Sequence, residues 1–411
     1  MSRVWAADPV AIEVGTWSAE YGREWLTTEL TAFQEAYSDV SVSTVSLFDP
    51  SRYKNPVEKF PRLAENVIAI DSESGYETVY FVERDMLVPI EDFLPDPDFD
   101  FDSFYPKVFD SVRYQGKTWG VPWTYWTAFL VIDEQLFNES KIPLPQSWKD
   151  VHEAARKLTK DRDGDGQVDQ WGMRLTFFDE STPYAAVSKV LQDGGHVMKN
   201  GMFDINHPAF IDAFEFFGEL ANDRSASKLD ARQPEEFLQD QDVRYAMFII
   251  PSFDLPQIEN RTDLRVMPLP TDKEKVCIAE CRRYFAIRKS TPQQEMASWK
   301  FVKWMTREGI SLPTNWDVFP CRSNITGRED FRLQSKSKIQ GLAEALTTNS
   351  IAVDPGDPVY GRRDALIYIV SGLAGPMVEG QPLSPIVEKI EIQANTMIRQ
   401  ILPDIARDSP R

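Results

Sequence analysis

Apolar positions recur with two spacings along the first third of the chain. In residues 11–17, AIEVGTW, Ile12 and Val14 fall on one side, the two-residue period of a half-buried strand. Ser18 then stands at a helix start, and Trp25, Leu26, Leu30 and Phe33 follow at helical spacing. Residues 40–45, VSVSTV, alternate strictly and predict a second strand. A helix–strand unit continues through 63–70, and a further helix is expected over 76–83. Strands alternating with helices predict an α/β lobe with a largely parallel sheet. Ligands of such sheets lie beyond the carboxyl ends of the strands. That puts Trp17, Ser18 and Glu20 at one rim and Asp71, Ser72 and Glu73 at another.

Further along, residues 95–104, PDPDFDFDSF, are acidic and turn-rich and read as a surface connection. Residues 148–159 form a helical pattern with Val151, Ala154, Ala155 and Leu158 as its apolar positions. Residues 208–221 form another, with Phe210, Phe214, Phe217 and Leu220 along one face, a stripe that belongs to a core. A buried strand is expected over 245–250. Residues 266–270 then lead back toward the first half, where 284–287 form the next strand. Helices are expected over 296–305 and 386–402.

At 411 residues the chain is long enough for two domains with substantial cores. Lys and Arg total 45 against 64 Asp and Glu, a formal charge of −19 that argues against a nucleic-acid partner. No basic block or basic amphipathic helix offsets it. There is no run of about 18 apolar residues to span a bilayer. The start, MSRVWAADPVA, lacks the apolar stretch of a secretion signal. Of the cysteines, Cys277 and Cys281 would lie roughly 13 Å apart on one strand, too far for a disulfide. Either could pair with Cys321, but buried thiols are the simpler expectation.

The densest chemistry lies between Tyr114 and Gly172. Trp119, Trp123, Tyr125, Trp126 and Phe129 crowd beside Gly116, Gly120 and Pro122, an unusual composition for a plain strand. Taken singly these rings are core. Taken together on a rigid crossing, they offer flat apolar faces for the C–H side of a sugar ring, with polar groups nearby for its hydroxyls. The stretch also resembles a family in several ordered motifs. They comprise Gly116, Lys117, Gly120, Val121, Pro122 and Trp123, then Leu136, Phe137, Pro145 and Trp148, then Lys157, Leu158 and Thr159, and finally the run 161–172. These are similar to the extracellular solute-binding proteins of ABC importers, in the sugar-binding branch that includes maltose-type binding proteins.

That resemblance implies a two-lobe, periplasmic-binding-protein-like α/β fold of the class II type, with discontinuous lobes joined by a hinge. Lobe one would hold residues 10–120 and 277–325, and lobe two 121–276 and 326–411. It implies a mono- or oligosaccharide held in the cleft, a membrane ABC permease as partner, a monomer, no catalysis and a periplasmic or extracellular location. The missing export signal is read as removed; retention in the cytoplasm, as a sugar sensor on the same fold, is the alternative. The site residues carried over are Trp17, Glu20, Asp71, Trp123, Tyr125, Trp126, Phe253, Trp316, Asp317 and Tyr360, with Pro320 and Arg322 matching a Pro-x-Arg turn. The family's paired glycines are replaced near Glu280, Cys281, Arg282 and Arg283. Arg282 or Arg283 could clamp a carboxylate and favour an acidic sugar, or could make a plain salt bridge.

Asp161, Asp163, Asp165 and Asp169 with Gly166 match positions 1, 3, 5, 9 and 6 of an EF-hand loop, but position 12 is Gly172 rather than a bidentate Glu. A plain helix-to-strand turn is the preferred reading and calcium the alternative; no other cofactor is expected. Paired carboxylates with aromatics also build glycoside-acting enzymes, yet nothing singles out an acid–nucleophile pair. His152, His196 and His207 are scattered, with His207 placed to cap a helix.

Overall fold

A computed structural model describes residues 8–16, 23–46, 66–71, 76–105, 108–177, 181–199, 202–227, 230, 232, 234–240, 242–258, 260–273, 276–307, 319–322, 350–352 and 362–401. β1 (Val10–Thr16), α1 (Arg23–Ala36) and β2 (Val40–Ser46) open the chain, and β1 pairs with β2 in parallel along its whole length. β3 (Val67–Asp71) joins the other side of β1, also in parallel. α2 (Tyr76–Glu83) and β4 (Leu87–Val88) follow. A hairpin of β5 (Arg113–Tyr114) and β6 (Lys117–Thr118) then delivers the chain to β7 (Val121–Asp133).

Next come α3 (Glu134–Ser140), α4 (Trp148–Leu158), β8 (Gln170–Trp171), α5 (Ser181–Gln192) and the hairpin of β9 (Met198–Lys199) and β10 (Met202–Phe203). α6 (Pro208–Asn222), α7 (Pro234–Phe237), β11 (Arg244–Tyr245), β12 (Met247–Pro251) and β13 (Leu264–Met267) lead to β14 (Val276–Arg288) and α8 (Pro292–Met305). The last described elements are β15 (Phe319–Pro320), β16 (Ser350–Ala352), α9 (Arg362–Val378) and α10 (Ser384–Ile401). Among the described residues ten strands form one sheet whose main path runs β12-β7-β14-β3-β1-β2.

Local chemistry sets the helix limits. Ser147 and Asp150 form a reciprocal capping box at the start of α4, and Trp148, Val151, Ala154, Ala155 and Leu158 are its buried face. The Trp148 indole N–H donates to Gln192 Oε1 at 2.7 Å, tying α4 to α5. The phenylalanine stripe of α6 is fully buried, with Phe210 and Phe214 stacked at 4.6 Å. α3 to α6, α9 and α10 cover one face of β7 and β12 through Ala128, Leu130, Ile132, Met247 and Ile249. The opposite face joins a second core that continues to Ile12, Val14 and Phe301.

Three expectations change. The strand expected at 284–287 is the end of a 13-residue strand, and the aromatic crossing is itself a 13-residue strand. The described side chains of β7, and those of 284–287 in β14, are buried on both faces, so neither stretch alternates in hydrophobicity. The strand expected over 245–250 is interrupted at Ala246, between β11 and β12. Residues 95–104 are not merely a surface connection. Phe99 and Phe104 are buried, while Asp96 accepts from the Trp299 indole and from Lys303, both at 2.7 Å. The alternating Asp-Phe run buries Phe99 and leaves Asp98, Asp100 and Asp102 exposed, while Asp96 ahead of it meets α8. Cys321 is a buried thiol, as the simpler expectation had it.

Candidate functional site at the strand crossing

β7 and β14 run antiparallel, and their register breaks where the expected site residues meet. Cys281 opposes Tyr125 and Arg283 opposes Thr124, so Arg282 is passed over; Tyr284 then opposes Pro122, so Trp123 is passed over. An extra unpaired residue bends a strand and re-aims its neighbours, a device common beside functional sites. On its other edge β14 meets the carboxyl end of β3, with Arg283 opposite Asp71. β12 ends at Pro251 opposite Ala128, and the Ser252 hydroxyl accepts from the Thr127 N–H at 3.3 Å. Phe253 follows directly in a 3-10 turn, Ser252–Ile258. The backbone therefore gathers Asp71, Tyr125, Trp126, Phe253, Arg282 and Arg283 around one crossing.

The side chains there divide by role. Trp123 is 6% exposed and packs on Phe285 at 5.0 Å between ring centroids. Tyr125 is 1% exposed, with Tyr105 edge-on at 5.5 Å and Phe319 tilted at 5.5 Å. In this arrangement both rings are core, because neighbouring aromatics cover their faces. Arg283 is also buried, at 1% exposure, which excludes the plain surface salt bridge for this arginine. For Asp71, Trp126, Phe253 and Arg282 the structure places the backbone. Trp17, Glu20, Trp316, Asp317 and Tyr360 lie outside the described residues. Ser252, Tyr105, Phe285 and Phe319, which hold the crossing together, carried no motif in the sequence.

The aspartate loop is exposed. Asp161 accepts from Gly164 N–H at 2.6 Å and from Gly166 N–H at 2.8 Å, and those bonds, Gly166 first, hold its carboxyl below the usual range. Asp169 accepts from Arg162 N–H at 2.9 Å and Asp165 from Gln167 N–H at 2.7 Å. Oxygens of Asp161, Asp163 and Asp165 lie within 4.8 Å of one another, so three carboxylates would suit a cation. Position 12 does not. A Cβ on Gly172 would fall 1.9 Å from the carbonyl oxygen of Ala155, so the packing of α4 on β8 excludes the Glu that calcium loops place there.

The histidines serve structure. His207 caps α6, accepting from Phe210 N–H at 3.3 Å, and its other nitrogen bonds the His196 carbonyl at 2.8 Å. His152 meets Asp223 at 2.7 Å. A denser charged group surrounds Asp230. Burial opposes its ionisation, but hydrogen bonds from Arg232 and Tyr245 hold the carboxyl far below the usual range. Burial, followed by the hydrogen bond to Asp230 and then its charge, pushes the Tyr245 phenol up to about 12.

The arrangement is a long-stranded crossing between two α/β bodies, with binding-type residues gathered at it. The chain belongs to the bacterial extracellular solute-binding protein family, whose model matches residues 20–310. Its two-lobe fold is similar to that of the sugar-binding protein MalE from the phytopathogen Xanthomonas citri, with a TM-score of 0.78, 15% identity, and 98% of this chain and 100% of that one covered. A sugar transporter protein from Rhizobium etli in an open conformation has a TM-score of 0.73 at 13% identity, covering 94% and 99%. An ABC substrate-binding protein from Listeria monocytogenes in complex with cycloalternan has 0.66 at 17%, covering 95% and 99%. No curated protein matches the chain in sequence at a significant level. Among the described residues no helix is long and apolar enough to cross a membrane.

Proposed function

We propose that this protein captures a carbohydrate outside the cytoplasmic membrane and presents it, unaltered and as a monomer, to an ABC permease. The observation that carries the reading is the broken register between β7 and β14, which gathers the rim residues within a chain of solute-binding ancestry. Lobe one takes residues 10–120 and 277–325, lobe two 121–276 and 326–411, and β14 of the first pairs with β7 of the second. Asp71, Trp126, Phe253 and Arg282 form the contact set at the crossing, with Trp17, Glu20, Trp316, Asp317 and Tyr360 completing it and the buried Arg283 behind it. Trp123 and Tyr125 stiffen the floor from behind. The ligand bridges both rims and favours the closed arrangement by its higher affinity for it.

Titration with neutral and acidic mono- and oligosaccharides, followed by tryptophan fluorescence and melting temperature together, tests this. One saccharide shifting both, and recovered intact, supports the reading. A cleaved saccharide would replace it with a glycoside-acting enzyme, and silence across the panel would remove the carbohydrate. Preference for uronic acids would assign the arginines at the crossing to a carboxylate.

A further inference from the structure

Residues 319–322 form the described part of another connection beside the crossing. Phe319 and Pro320 pair with Tyr125 and Thr124, at the point where the β7–β14 register is broken. The chain is then held by the first half. Cys321 N–H donates to the Trp123 carbonyl and its carbonyl accepts from Tyr105 N–H, each at 3.0 Å, while Arg322 bridges Phe104 in antiparallel fashion. The chain is next described at β16, beside Val276–Ile278 of β14, and at α9, whose Met377 packs against Gly218 of α6.

Arg322 is 5% exposed and touches two segments distant in sequence, residues 99–104 and the end of α8. Its guanidinium lies 4.3 Å from the Phe104 ring centroid and 5.5 Å from that of Phe99. Nε donates to the carbonyl of Thr306, the C-cap residue of α8, where a cation also complements the helix dipole. Nη1 donates to the Asp100 carbonyl at 3.2 Å and to the Ser103 hydroxyl. A planar guanidinium serves several acceptors while stacked on a ring, which an ammonium does not.

We propose that Arg322 is the fixed end of this connection and sets the balance between open and closed lobes. This rests on the solute-binding reading above. Hinge closure confines rotation to a few residues, so a connection needs one end held rigidly. Freeing residues 319–322 loosens β15 from β7 and depopulates the closed form. Apparent affinity then falls by the lost fraction of competent molecules. Arg322 is a positioning residue and touches no ligand.

The test measures lobe separation without ligand. Met296 in α8 and Ile392 in α10 are 51% and 61% exposed. Each is replaced by p-azidophenylalanine for spin labelling, which leaves the cysteines native. Pulsed-dipolar distances are compared among the parent, Arg322→Met, Arg322→Lys and the milder Ser103→Ala. The control is Arg174→Met, which removes a buried arginine lying 4.3 Å over the Phe237 ring, away from the crossing. The expected result is a distance distribution that widens and shifts for the Arg322 variants, partly for Ser103→Ala, and not for the control at equal loss of melting temperature. Should Arg322→Met not fold, Arg322→Lys and Ser103→Ala decide. An unchanged distribution in the Arg322 variants overturns the anchor. Failure of every saccharide to narrow the parent's distribution would sink the solute-binding reading instead, while the ligand-free comparison still decides the anchor.

Discussion

Gly120 and Tyr284 touch where the chain enters the crossing. A Cβ on Gly120 would come 2.5 Å from the Tyr284 ring and 2.8 Å from the Phe285 carbonyl oxygen. The second contact is with backbone, so no rotamer change relieves it. Gly120→Ala should therefore destabilise the protein by about 1–3 kcal/mol, as overpacking does. Gly375 in α9 has nothing within 4 Å of its added Cβ. Gly375→Ala should be neutral or stabilise by up to about 1 kcal/mol through helix propensity. Urea unfolding of the two variants checks the contrast, and equal effects would contradict it.

What the sequence reveals follows from how many faces of an element are covered. β1, β2, α4 and α6 each have one covered face, so their period shows and their limits fall close to expectation. α5 is buried at nearly every position, and so carries no amphipathic period. α9 contains Gly372, Gly375 and Pro376, which read as breakers, yet Gly372 is where the Ile390 side chain approaches. At the site, the aromatic cluster is visible as composition. Which rings are core depends on the register slip at Arg282 and Trp123, a property of two paired strands that one strand's sequence does not carry. Arg322 reads as part of a turn motif; its acceptors come from residues 100, 103 and 306, which no local pattern joins.

The Asp230–Tyr245 pair predicts opposite pH responses at the two ends of the scale. The folded Asp230 carboxyl lies below its unfolded value. Its stabilisation is thus present above about pH 4 and lost as pH falls below that. The Tyr245 phenol is raised from 10 to about 12. Its contribution is complete below about pH 10 and lost as pH rises toward about 12. Asp230→Asn should lower stability at neutral pH and flatten the acid limb; Tyr245→Phe should flatten the alkaline limb. Urea midpoints across pH measure both, and parallel curves for parent and variants would refute the assignment.

His207 gives α6 an uncommon cap. Its Nε2 is 2.8 Å from the His196 carbonyl, which only accepts, so that nitrogen carries the proton and Nδ1 receives the Phe210 N–H. His207→Asn keeps an acceptor at the cap and loses the bridge; His207→Ala loses both. The alanine variant should be destabilised by about 1–2 kcal/mol and the asparagine variant by less. Thermal unfolding of the pair gives the answer, and equal losses would mean the cap contributes nothing.

The aspartate loop closes on its own backbone. Both carboxylate oxygens of Asp161 are engaged by Gly164 and Gly166, and those glycines have φ of 80° and 90°, the left-handed conformation such a turn requires. Position 12 is sterically reserved for Gly172 by Ala155. A loop satisfied in this way is expected to keep its shape without a cation. Chelator should leave the melting temperature and saccharide affinity unchanged, and Asp161→Ala should lower the melting temperature whether calcium is present or absent. Asp161→Asn keeps only one oxygen as acceptor and should fall between parent and alanine. If millimolar calcium raises the melting temperature of the parent and not of Asp161→Ala, the loop recruits the metal through its three clustered carboxylates despite the missing glutamate.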